Sequence, residues 1–164
     1  MNITIRKTKK DDLGQLQSLW NEGEVMKYVG FPHGLRMTFE EMTLWYERLS
    51  QKEYTTHYCI FEEDLGFVGE TFFSLVKDHE IAMLDIKLLE KARGKNIAYT
   101  ALSYAIDQAF DSTPAKKVYV DPNPENIPAW KLYLRLGFES KPRPDFLEPF
   151  EVYLECDKES WKKS

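Results

Sequence analysis

Cysteine is scarce in this chain: 164 residues hold only Cys59 and Cys156. Neither belongs to a Cys-x-x-Cys pair or to a Cys/His metal spacing. A disulfide framework, a structural zinc and a dithiol redox centre are therefore not expected. Both sit among apolar or strand-forming neighbours and read as buried, reduced thiols. Long hydrophobic runs are also missing. Nothing approaches the roughly 18 apolar residues of a membrane span. Residues 1–6 alternate polar and apolar side chains, unlike a signal or transit peptide. A cytoplasmic location with no membrane partner is expected. A basic excess is lacking too: 22 Lys and Arg stand against 27 Asp and Glu, for a net charge of −5. That balance weighs against nucleic acid, which needs a basic face, and suits a cationic amine somewhat better. No repeat, low-complexity stretch or linker divides the chain. Its length suits one domain, residues 1–164, around one sizeable core.

The periodicities present predict an alternating series of elements. Residues 2–7 read as a first strand. Leu13, Leu16, Leu19 and Trp20 place a helix over 11–20, with Asp11 or Asp12 as N-cap. Residues 21–37 have no clear period but carry Met26, Tyr28, Val29 and Phe31, large apolar groups of the kind that line something. Thr38-Phe39-Glu40-Glu41 has the form of a capping box and starts a second helix through Leu49. Strands follow at 54–62, 66–76 and 80–89, separated by short polar breaks that suit antiparallel hairpins. A helix over 96–110, a strand at 117–121, a helix over 124–136 ended by Gly137, and strands at 138–141 and 150–157 complete the series. A frayed, charged tail is expected at 158–164. The order defines an α+β fold with a mixed sheet.

The most informative segment is Glu90-Lys91-Ala92-Arg93-Gly94-Lys95-Asn96-Ile97-Ala98, between a strand and a helix. Helix N-terminal N–H groups have no internal partner, and the macrodipole is positive there. Arg93 and Lys95 add charge, and Gly94 lets the backbone curve around an oxygen-rich group. The turn is neither a GxxxxGK[ST] loop nor a GxGxxG loop. Its bland alternative is a solvated basic loop.

This segment resembles motif A of the GNAT N-acetyltransferase superfamily, Gln/Arg-x-x-Gly-x-Gly/Ala. Arg93 and Ala98 match, and Asn96 stands where the family usually has glycine. Asn is the non-glycine residue that best tolerates positive φ. The run from Asn126 through Ala129 and Tyr133 to Gly137-Phe138 is similar to the family's motif B. The order of Trp20, Gly30, Pro32 and Thr38 suggests the branch containing the ribosomal-protein N-terminal acetyltransferases. The resemblance implies a sheet of about seven strands with about four helices, and a parallel strand pair that splays apart around acetyl-CoA as co-substrate. Ile86, Lys87 and Leu88 would hold the pantetheine arm by backbone bonds. Arg93, Gly94, Lys95, Asn96, Ile97 and Ala98 would hold the pyrophosphate, and Asn126 would bond the arm or cap its helix. A primary amine of a small molecule or peptide would attack the thioester directly, with no acyl-enzyme. An acyl-CoA sensor that catalyses nothing is the alternative on the same fold. A monomer or a homodimer is expected.

Amine acetylation needs a base for the ammonium and a proton for the departing thiolate. Tyr133 matches the family tyrosine that donates to sulfur; its alternative is core packing. Glu70 follows Gly69 on an apolar strand. There its proton affinity should be raised, making it the leading base. Alternation places it on the face of Val68 and Phe72. Asp85 is a rival on the next strand and a candidate acceptor contact, with His33 and His57 as further options. Tyr28, Phe31, Trp45, Phe146 and Glu148 are candidates for the acceptor lining.

Overall fold

A computed structural model describes residues 1–163. Seven strands form one sheet: β1 (Ile3–Lys7), β2 (Thr55–Glu62), β3 (Gly66–Leu75), β4 (Ile81–Leu88), β5 (Lys117–Val120), β6 (Glu139–Ser140) and β7 (Leu154–Asp157). Their spatial order is β1-β2-β3-β4-β5-β7-β6. Every neighbouring pair is antiparallel except β4 and β5, which run parallel. The α+β mixed sheet read from the sequence is therefore present.

Strand alternation sorts the helices onto two faces. Cys59 points to a cluster with Leu13, Leu16 and Leu19 of α1 (Leu13–Trp20) and Met42 of α3 (Phe39–Leu49), with short α2 (Gly23–Met26) beside them. Tyr58, Phe73 and Leu84 point the other way. They pack on Leu102, Ala105 and Ile106 of α4 (Ile97–Ser112) and on Tyr133 of α5 (Ile127–Arg135). No helix among the described residues is long and apolar enough to cross a membrane.

Caps with a purely local code appear as expected. The Glu41 amide donates to Thr38 Oγ1 at 3.2 Å, and the Thr38 amide donates to Glu41 Oε1 at 3.1 Å. Gly137 ends α5 with φ +102°. Other expectations are corrected by longer-range contacts. Asp12 occupies the N-cap position of α1, but its side chain makes no capping bond there. Its carboxylate accepts Arg6 Nη1 and Nη2 at 2.8 Å each and the Lys9 amide at 2.7 Å. Residues 21–37 hold α2 and a 3-10 turn, Lys27–Val29, rather than plain loop. Elements this short depend on tertiary ties. Arg93 Nη2 donates to the Glu24 carbonyl at 3.1 Å, and Asn123 Nδ2 donates to the Tyr28 carbonyl at 3.2 Å. The tail is not frayed over Lys158–Lys163. It forms α6, held by Trp161 Nε1 donating to Asp107 at 2.7 Å and by Lys162 on Asp111 at 2.8 Å. Ser164 lies outside the described residues.

Two irregularities in the sheet create the site. Pairing of β4 with β5 runs Ile81↔Lys117, Ala82↔Val118 and Met83↔Tyr119, then stops, while β4 continues to Leu88. The strands diverge from there. The second irregularity is a bulge in β3: Ile60 faces Gly69 and Phe61 faces Phe67, which leaves Val68 without an opposite number. One extra residue resets the alternation. Val68 packs with Ile97 and Ala101 on the α4 side, whereas Glu70 bonds Trp20 on the α1 side. The expectation that Val68 and Glu70 share a face is thus overturned by the bulge. Gly69 is required beside it, because a Cβ there would lie 2.1 Å from the Lys87 carbonyl oxygen.

Candidate active site

The divergence of β4 from β5 opens a cleft of about 1300 Å³. Residues 83–88 of β4 form its floor, the first turn of α4 one wall, and the ends of β5 and α5 the other. Beyond Met83 no strand among the described residues pairs with β4 on the side away from β3. The cleft-side backbone groups of residues 84–88, which alternate with those bonded to β3, therefore have no strand partner, as a strand-like ligand arm requires; at the end of the strand the Leu88 carbonyl accepts from Arg93.

At one end stands the turn before α4. Gly94 has φ +73° and Asn96 has φ +65°. Asn96 is the residue before α4 and makes no side-chain cap, so the Asn96 side chain leaves the first helical N–H groups open toward the cleft. Instead Asn96 Oδ1 accepts from Arg135 Nη1 at 3.0 Å, which fixes the left-handed residue from outside. Arg93, Gly94, Asn96, Ile97 and Ala98 all line the cleft. The Ile97 side chain is fully buried in the core, so only its backbone is available. Lys95 is exposed beside this turn, outside the residues that line the cleft. Arg93 Nη2 donates to the carbonyls of Glu24 and Leu88 at 3.1 and 3.3 Å, so this guanidinium also ties α2 to the end of β4.

Asn126 and Tyr133 line the opposite wall. Asn126 caps α5, its Oδ1 accepting from the Ala129 amide at 3.3 Å. Its side-chain N–H groups make no protein hydrogen bond among the described residues, so capping and ligand binding are compatible. The Tyr133 hydroxyl likewise has no hydrogen-bond partner among the described residues. Burial, with Asp85 and Asp121 nearby, pushes its pKa well above that of an ordinary phenol. Such a hydroxyl stays protonated and acts as a donor.

Two carboxylates reach the same end. Asp85 pairs with Lys87. Asp121, at the tip of β5, is held by Arg143 at 3.2 Å, yet burial first and Asp85 in addition push its pKa above the usual carboxylate value. Tyr28 and Glu148 also border the cleft. Phe31 is 45% exposed and lies outside the cleft lining, close in sequence to the lining residues Tyr28, Val29 and Gly30. Phe146 stacks on His79, and Trp45 packs edge-on against Trp20 and His57. Asp121 and Arg143 were not singled out in the sequence. The available signal was the position of Asp121 just past the second splayed strand.

Glu70 departs furthest from expectation. It is 2% exposed and does not line the cleft. Its Oε1 accepts from Trp20 Nε1 at 2.8 Å and lies 3.6 Å from Lys87 Nζ, while Oε2 lies 2.5 Å from His57 Nε2. Burial pushes its pKa upward, but His57, Lys87 and Trp20 outweigh that, and the net shift is downward. The raised proton affinity expected of a base is therefore corrected. Asp85 is the carboxylate of this stack that reaches the cleft.

A parallel strand pair splayed beside a helix start with an uncapped first turn, with a tyrosine hydroxyl and carboxylates at the far end, has the geometry that an acyl-CoA-dependent transferase needs. A family model described as an acetyltransferase (GNAT) domain matches residues 2–139. The chain belongs to that family and is an acetyl-CoA-dependent N-acetyltransferase. It is 25% identical over 142 residues to an uncharacterised N-acetyltransferase, p20, of Bacillus licheniformis, covering 85% of this chain and 80% of that protein. Its fold is similar to that of spermidine N-acetyltransferase from Vibrio cholerae, solved with CoA and spermine, with a TM-score of 0.82 at 20% identity over 98% of both chains. It is also similar to an aminoglycoside acetyltransferase solved with coenzyme A, with a TM-score of 0.81 at 18% identity over 99% of both chains.

Proposed function

We propose that the protein transfers acetyl from acetyl-CoA directly to a primary amine of a cationic small molecule or peptide, with Tyr133 as the general acid. The observation that carries this reading is the Tyr133 hydroxyl: unpartnered, kept protonated, and facing the same cleft as the α4 turn. The neutral amine nitrogen attacks the thioester carbonyl, the carbon–sulfur bond breaks, the sulfur takes its proton from Tyr133, and the proton then shed by the acylated nitrogen returns Tyr133 to its hydroxyl form. Asp85 and Asp121 receive the acceptor ammonium, and its proton leaves through them or through water. Asp121, with its raised pKa, suits proton acceptance. The thiols are poor rivals as nucleophiles, because burial pushes Cys59 up to about 12 and Cys156 up to about 11.

Solved relatives that carry spermine or act on aminoglycosides support a cationic acceptor for this cleft. The test is incubation with acetyl-CoA and a panel of polyamines, aminoglycosides, aryl amines and short peptides, following free thiol and product mass. Thiol release that requires an amine and yields a product heavier by one acetyl group is the expected result. Binding of CoA with no thiol release from any amine would instead favour a non-catalytic acyl-CoA sensor.

A further inference from the structure

A line of buried polar groups runs beneath the acceptor end and surfaces in it. Thr8 Oγ1 lies 2.6 Å from His57 Nδ1, and His57 Nε2 lies 2.5 Å from Glu70 Oε2. Glu70 Oε1 lies 3.6 Å from Lys87 Nζ, and Lys87 in turn pairs with Asp85. The strand register explains the stack. Glu70 on β3 faces Lys87 on β4, and Phe72 faces Asp85, so the three charged groups share one sheet face. Asp85 and Lys87 line the cleft, and Glu70 does not.

Apolar residues of similar size in place of Glu70, His57 and Lys87 together would avoid the desolvation cost of these buried polar groups. The charge of Glu70 therefore calls for a reason beyond packing, and Lys87 supplies one. Alone with Asp85, the Lys87 ammonium would form a closed one-to-one pair and cancel the carboxylate offered to an acceptor. With Glu70 behind it, one cation is shared by two anions, and Glu70, Lys87 and Asp85 carry one net negative charge among them, with His57 hydrogen-bonded to the far oxygen of Glu70. We infer that Glu70 is a positioning residue: by sharing Lys87 it leaves Asp85 with an uncompensated negative field toward the acceptor ammonium, and so tunes acceptor affinity without touching the acceptor. This rests on the reading above that Asp85 meets the acceptor.

Charge rescue provides the test, because only an electrostatic role predicts it. Glu70→Gln keeps the shape, makes the trio neutral, and should raise KM for the most active cationic amine of the panel by roughly tenfold. KM for acetyl-CoA should stay at the parent value. Lys87→Met makes the trio more negative and should lower the amine KM. The double variant Glu70→Gln/Lys87→Met restores the parental net charge and should bring the amine KM back toward the parent, although it has lost two polar groups. A merely structural Glu70 would make the double variant worse than either single one, and that result overturns the inference. Should Glu70→Gln fail to fold, Lys87→Met alone decides: an unchanged or higher amine KM overturns it. Asp85→Asn separates the two levels. If it leaves the amine KM unchanged, the acceptor reading itself falls; if it raises KM while Glu70→Gln does not, only the role of Glu70 falls.

Discussion

Replacing Tyr133 by Phe removes one hydroxyl and almost no volume. Loss of a general acid typically costs about 10²–10⁴-fold in rate. Because the role belongs to the transition state, kcat should fall by that order while acetyl-CoA affinity, read by calorimetry, changes little. A Phe variant turning over at the parent rate would reduce Tyr133 to packing. Asp12 gives a prediction about stability rather than rate. Hydrogen bonds from Arg6, above all, hold its carboxyl below the usual carboxylate range. The unfolded chain then binds that proton more readily than the folded one. The stability Asp12 supplies is full above the ordinary carboxylate pKa of about 3.9 and is lost as pH falls through the lower folded value. Asp12→Asn should cost about 2 kcal/mol at pH 7, as expected for hydrogen bonds to a charged group. Urea midpoints measured from pH 7 down to pH 2 should show that deficit shrinking at the acid end.

At the scale of elements, the start of α4 carries the most direct test. Asn96 sits at φ +65° and is steadied by Arg135. Asn96→Gly removes backbone strain and one hydrogen bond together, so stability and acetyl-CoA affinity should both stay near the parent. Asn96→Val puts a β-branched residue in the left-handed region and should destabilise by about 1–2 kcal/mol, with weaker acetyl-CoA binding. Urea unfolding and calorimetry check both. The legibility of the sequence follows the range of each interaction. The Thr38 capping box and the Gly137 stop are written within a few residues, and both were readable. So was the α4 turn, since strand, glycine, base and helix follow one another directly. The bulge at Val68 was not readable. It exists only in the pairing of β3 with β2, and one unpaired residue was enough to reverse the face assigned to Val68 relative to Glu70. The partners of Glu70 were hidden for the same reason: Trp20 and His57 come from α1 and β2, brought together only by the assembled sheet.

The whole molecule couples ligand to sheet. Acetyl-CoA that binds only the folded chain raises stability by mass action, about 2.7 kcal/mol at a hundredfold excess over Kd. Thermal unfolding should therefore shift upward with CoA and not with ATP; an equal shift with both would point to a generic anion turn. The early end of β4–β5 pairing at Met83 has a further consequence. From there to Leu88 the strand is an edge that lies in the interior of the fold, flanked by β3 on one side and by the cleft on the other. Edges elsewhere are dangerous because any extended chain can add to them. Under the proposed function the addition is the purpose, and pantetheine, with its two amides, is a short peptide mimic. Amide hydrogens along residues 84–88 that face the cleft should exchange with deuterium readily in the free protein. They should become protected when CoA is bound, while those of β2 hold steady. In that sense the cofactor is a borrowed strand, and each catalytic cycle ends by giving it back.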